Sequence, residues 1–108
     1  MDIKRYKVII TPSAYEEMNQ IYNYIVQNLY AEKSAKELMQ KIEEVIQKLK
    51  YAPKIYAKIE KLDELKRVYR RVIVKKYVIL YTIDEEDNTV FVTHIYYGKR
   101  NYIDNNLL

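Results

Sequence analysis

Cations and phenols crowd the last third of this chain. Between Tyr69 and Tyr102 it reads YRRVIVKKYVILYTIDEEDNTVFVTHIYYGKRNY, which sets Arg70, Arg71, Lys75, Lys76, Lys99 and Arg100 among tyrosines that include Tyr96, Tyr97 and Tyr102. Guanidinium and ammonium groups neutralise phosphates or carboxylates, and aromatic rings stack on bases for roughly 1–3 kcal/mol each. This mixture suits the gripping of an anionic backbone or an acidic partner strand. His94, the only histidine, is a further candidate for proton-transfer chemistry.

Each of these residues also has a plainer reading. Arg70 and Arg71 are neighbours on a strand and point to opposite faces, so one of them faces any functional surface and the other is left for a salt bridge or for solvent. Lys75 and Lys76 fall at a strand junction and read most simply as turn residues. His94 alternates with Val90, Val92 and Tyr96, which reads as a packed histidine. With thirteen tyrosines against one phenylalanine, tyrosine is the general aromatic filler here. Arg100 is the strongest functional candidate because it follows a strand end and the only glycine, Gly98, whose freedom suits a special backbone turn. Glu16 and Glu17 sit in the first turns of a helix, where the dipole favours them without a catalytic part.

Composition narrows the chemistry. The 108 residues make one domain, spanning 1–108, with room for a single core. No cysteine is present, so disulfides and thiolate metal sites are excluded, and one histidine rules out a multi-histidine site. No cofactor and no metal are expected. No stretch reaches the roughly 18 apolar residues of a spanning helix, and MDIKRYKVII lacks a secretory core, so a cytoplasmic protein without a membrane partner is expected. The net charge is +4. It is uneven: from Lys50 to Lys76 ten basic residues face three acidic ones, a footprint for nucleic acid or an acidic partner.

The elements that must position these groups are legible. Tyr6 to Ile10 is a short apolar strand. Thr11 is an N-cap with Pro12 at the first helical position, and Ala14, Met18, Ile21, Ile25 and Leu29 follow at helical spacing, predicting a helix over Pro12 to Leu29. The stripe Ala35, Leu38, Met39, Ile42, Val45, Ile46 and Leu49 predicts a second helix over Glu32 to Lys50, ended by Pro53. The two form a hairpin. Lys54 to Lys66 has no clean period and reads as an irregular crossover with a short turn of helix. Three strands follow, Val68 to Val74, Tyr77 to Asp84 and Thr89 to Tyr97, the last two joined by the acidic loop 84–88.

In the central strand Tyr77, Ile79, Tyr81 and Ile83 share one face, and Val78, Leu80 and Thr82 share the other. A helical hairpin covers one side of a sheet, so the other side is expected to be partly apolar and open, a site for a partner or for a second copy in a homodimer.

The order β-α-α-β-β-β, with YKVIITPSAYEEMNQIYNYI, the stop at Pro53, YRRVIVKKYVILYTID and VFVTHIYYGKRNY, resembles the RelE/ParE superfamily of type II toxin-antitoxin toxins over nearly the whole chain. The resemblance implies an α+β fold with the helical hairpin on one face of a small, mainly antiparallel sheet. It also implies a cognate antitoxin as partner, docked on the open face and basic patch, and promoter DNA contacted through that antitoxin.

The superfamily divides by target. RelE-like members are ribosome-dependent mRNA endonucleases, whereas ParE-like members poison DNA gyrase without hydrolysis. Cleavage at a 2′-hydroxyl needs a base, cations for the phosphorane and an acid for the leaving oxygen. By resemblance, Arg100 in Gly98-Lys99-Arg100 matches an active-site arginine and Arg70 a basic residue of the second strand; Tyr102 and His94 complete the catalytic candidates. Arg71, Lys75, Lys76, Tyr96, Tyr97 and Lys99 are the binding candidates. Two features depart from the nucleases: the strand arginine of Tyr-Arg-Leu-Val-Tyr is Val78 here, and the closing tyrosine falls on Asn106, leaving Tyr102 as the nearby phenol. The expectation is a ParE-like toxin that binds gyrase. A ribosome-dependent endonuclease and a non-toxic nucleic-acid-binding module stay open as alternatives.

Overall fold

The structure, a computed structural model, describes residues 4–59 and 67–100. β1 (Lys7–Ile10) leads into α1 (Pro12–Asn28) and α2 (Glu32–Leu49). β2 (Lys58–Ile59), β3 (Tyr69–Val74), β4 (Tyr77–Asp84) and β5 (Thr89–Tyr97) follow, and a 3-10 turn runs over Gly98–Arg100. Among the described residues no helix is long and apolar enough to cross a membrane.

Thr11 opens α1 as its sequence position dictates, its Oγ1 accepting the Ala14 N–H at 3.2 Å, with Pro12 supplying the first helical φ. The same residue donates its N–H to the Val92 carbonyl at 3.0 Å and its hydroxyl to the Thr93 carbonyl at 3.3 Å. The cap that starts the helix therefore also fastens it to β5.

The five strands lie in the order β1-β5-β4-β3-β2, with β1 parallel to β5 and every other pair antiparallel. Both helices cover one face. Ala14, Ile25, Leu38, Ile42 and Leu49 bury their apolar stripes against Val72, Val74, Ile79, Tyr81, Val90 and Ile95. This is the α+β architecture that the resemblance implies, with the helical hairpin on one face of a mainly antiparallel sheet.

Three expectations change. First, the crossover carries a strand within its described part: Lys58–Ile59 adds a fifth strand, pairing with Arg70 and Tyr69. Side chains of the following strands pin the chain there. Arg70 donates to the carbonyls of Tyr56 at 2.7 Å and Lys54 at 3.1 Å, and the Tyr81 hydroxyl donates to the Pro53 carbonyl at 2.5 Å. The remainder of the crossover, with Lys61 and Lys66, lies outside the described residues.

Second, the face away from the helices is less open than its pattern implies. Val78, Leu80 and Thr82 are buried there, Val78 and Leu80 in a second apolar cluster with Ile59, Tyr69 and Tyr96. The large rings of Tyr69 and Tyr96 on the flanking strands pack with the smaller residues of β4 between them. Ile73, 65% exposed, marks where that cover stops.

Third, β5 does not alternate evenly. The register with β4 shifts between Leu80 and Tyr81, so that Tyr81 faces Val92 while Leu80 faces His94, and Thr93 is the extra residue. Val90 and Val92 consequently join the helix-side core, whereas His94 and Tyr96 turn to the opposite face with Leu80 and Val78.

Candidate functional site

The bulge assembles a cross-strand row. Arg71 on β3 is the register partner of Leu80, and Leu80 is the partner of His94; Tyr96 lies next along β5, opposite Val78. Arg71 is exposed and Tyr96 buried. Burial raises the Tyr96 phenol above its ordinary range, with the Arg71 guanidinium opposing that rise and the Glu17 carboxylate adding to it. Cation, imidazole, phenol and carboxylate are thus gathered at one place on the sheet.

Glu17 reaches this row from α1. Its Oε1 lies 3.0 Å from His94 Nδ1 and accepts the Ile95 N–H at 3.4 Å, the two side chains being only 16% and 20% exposed. β1 pairs with β5 only as far as Val92. Beyond that point no strand of the described residues pairs with this edge of β5, and the Glu17 carboxylate takes a position where a strand carbonyl would accept.

On the helix side of the same sheet end, a groove of about 740 Å³ opens between the helical hairpin and the β3–β4 turn. Ile21, Ile25, Leu38 and Ile95 line its apolar part, Tyr24, Tyr77 and Tyr97 its aromatic part, and Lys75 and Lys76 its cationic part. Tyr77 and Tyr97 meet edge to face, centroids 5.6 Å apart. Burial, and then the neighbouring phenols of Tyr97 and Tyr24, holds the Tyr77 hydroxyl above its usual range. Lys75 Nζ stands 3.9 Å from Glu37 on α2, an exposed pair of little energetic weight.

The candidates read from sequence therefore divide between two surfaces. Arg71 and His94 lie on the face away from the helices; Lys75, Lys76 and Tyr97 line the groove, and Tyr96, opposite Val78 in the sheet, borders both. Arg70 stands apart, its guanidinium tying down the crossover carbonyls on the other face from Arg71. Lys99 is exposed in the 3-10 turn that ends at Arg100. Tyr102 lies outside the described residues. Gly98 is needed for closeness rather than for an unusual φ: its N–H donates to the Lys76 carbonyl at 2.8 Å, and a Cβ there would stand 3.2 Å from that oxygen.

Residues 8–102 match the sequence model of the ParE toxin of type II toxin-antitoxin systems. The chain belongs to the ParE toxin family. No curated protein matches this ParE-family toxin in sequence. Its fold is that of solved toxin-antitoxin proteins. The chromosomal ParDE system of Pseudomonas aeruginosa superposes with a TM-score of 0.64 at 14% identity, over 87% of this chain and 97% of that one. The RelBE2 toxin-antitoxin complex of Mycobacterium tuberculosis gives 0.59 at 18% identity, over 89% and 94%. The YoeB dimer of Staphylococcus aureus gives 0.54 at 22%, over 86% and 97%.

Two parts of this ParE-family site escape sequence reasoning. Glu17 reads as a helix-start carboxylate, yet it falls three residues after Ala14 and four before Ile21, on the buried margin of the α1 stripe; that position is the signal. Tyr24 and Tyr77 carry no comparable mark, because only the packing of the hairpin against the end of the sheet brings them together.

Proposed function

We propose that this toxin arrests growth by binding DNA gyrase, without hydrolysing nucleic acid, and that its antitoxin occupies the groove. The observation that carries the first part is the centre of the sheet face away from the helices. Val78 and Leu80 fill it, so the strand position at which RelE-like nucleases carry an arginine holds a buried valine. An apolar centre supplies no cation for a phosphorane. Arg71, Lys99 and Arg100 then serve as binding rather than catalytic groups.

The groove supports the second part. An apolar floor, phenolic walls and the ammonium groups of Lys75 and Lys76 complement an amphipathic acidic segment of the kind that helix-in-groove recognition uses. The test is a supercoiling assay with purified gyrase, with and without antitoxin. Inhibition that antitoxin reverses is the expected result.

One observation favours a second reading, ribosome-dependent cleavage of mRNA: the Glu17 and His94 pair beside Arg71 and Tyr96 contains groups for general acid-base work. Toeprinting of a translated mRNA separates the two. Cuts in the A-site codon that vanish in Arg100→Ala or His94→Ala would replace the gyrase reading. If expression causes no growth arrest, both readings give way to a non-toxic binding module.

A further inference from the structure

Lys75 lines the groove and Tyr30 falls between its lining residues Leu29 and Ala31, and both hold a left-handed backbone, with φ of 56° and 51°. Tyr30 is the turn between α1 and α2, flanked by the groove residues Leu29 and Ala31; the Ala31 N–H closes the turn on the Ile25 carbonyl at 3.1 Å. Lys75 is the first residue of the two-residue turn between Val74 and Tyr77. Glycine is the residue that suits both places, because an L side chain in this region crowds its own backbone.

Neither side chain repays that crowding within the free protein. Tyr30 is 89% exposed, so it buries almost nothing. Lys75 is exposed, and its 3.9 Å pair with Glu37 is solvated. Asn88, the third residue with positive φ, is different: it lies in the β4–β5 turn away from the groove, and asparagine tolerates this conformation.

We propose that Tyr30 and Lys75 are the paired anchors for the antitoxin segment, with Tyr30 covering its apolar side and Lys75 pairing with a carboxylate. The inference rests on the reading that the groove takes the antitoxin. It assigns to two turn residues a recognition part for which the fold gives up stability. Its signature is opposite signs: replacing either by glycine improves folding and weakens binding, whereas a structural residue would lose both together.

The experiment compares full-length toxin carrying Tyr30→Gly, Lys75→Gly, Asn88→Gly or Tyr24→Glu with the unchanged chain. Thermal midpoint is measured alone, and affinity is measured by calorimetry against the purified cognate antitoxin. Tyr30→Gly and Lys75→Gly are expected to hold or raise the midpoint by up to about 5 °C and to weaken binding about ten-fold or more each. Asn88→Gly should leave affinity unchanged. Tyr24→Glu places a like charge on an exposed groove wall and should also weaken binding.

Glycine variants that bind as tightly as the unchanged chain, while Tyr24→Glu binds poorly, overturn the anchors and leave the groove reading standing. Loss of affinity in only one glycine variant overturns the pairing. A midpoint that falls in step with affinity makes the residues structural. Full binding by Tyr24→Glu and both glycine variants removes the groove reading and the anchors with it.

Discussion

Glu17 and His94 are 77 residues apart in sequence, and the Oε1 of one lies 3.0 Å from the Nδ1 of the other. The pair joins α1 to β5 just past the end of β1, and the same carboxylate oxygen accepts the Ile95 N–H. The helix therefore seals a strand edge with a side chain. This arrangement fixes His94 on the face it shares with Arg71, and the groove begins alongside, lined by both Glu17 and Tyr96.

Glu17→Ala removes the acceptor of both the His94 ring and the Ile95 amide. Partly buried donors deprived of one partner cost about 1–3 kcal/mol. The urea midpoint should fall accordingly, while Glu16→Ala, one position along and exposed, should stay within about 0.5 kcal/mol of the parent.

Arg70 and Arg71 should separate stability from activity. Arg70→Ala loses two charge-assisted bonds to crossover carbonyls and is expected to cost about 1.5–3 kcal/mol. Arg71→Ala, exposed on the other face, should leave the denaturation curve within about 0.5 kcal/mol of the parent yet reduce growth arrest on expression. Equal effects of the two variants on both readouts would contradict the division of faces.

The Tyr81 phenol is fully buried and donates to Pro53. Burial pushes its pKa well above the ordinary value of about 10, as it does less strongly for Tyr77 and Tyr96. The folded state thus keeps these protons at a pH where the unfolded chain releases them. Stability is complete below about pH 10 and declines as pH rises through and beyond it. A urea-midpoint series from pH 8 to 11 should show that decline, and Tyr81→Phe should flatten it while costing about 1–3 kcal/mol at pH 8 through the lost bond to Pro53.

Gly98→Ala would set a methyl group 3.2 Å from the Lys76 carbonyl, tight enough to shift the β3–β4 turn by a few tenths of an ångström. Because that turn carries Lys75 and Lys76, the variant should fold with a loss of about 1 kcal/mol and bind antitoxin more weakly than its stability loss explains. Calorimetry beside a denaturation curve tests both parts.

What the chain determined by itself is what depends on near neighbours. The 3.6-residue stripe after Thr11-Pro12, the stripe of α2 and the period-two run of β4 each bury an apolar face whatever their partner, so these elements and their ends are written locally. The family resemblance rests on the same local pieces in order. Tertiary structure alone decided the rest. A two-residue strand such as Lys58–Ile59 has too little pattern to announce itself and forms because Arg70 and Tyr81 hold the crossover against the sheet. The bulge at Thr93 has no sequence mark, yet one inserted residue reverses the face of everything after it, which is why His94 leaves the company of Val92. Which of two adjacent arginines faces the site, and which carboxylate meets the histidine, follow from that register and from where α1 crosses β5. Such contacts join residues far apart in the chain, and only the packed fold brings them within a bond's length.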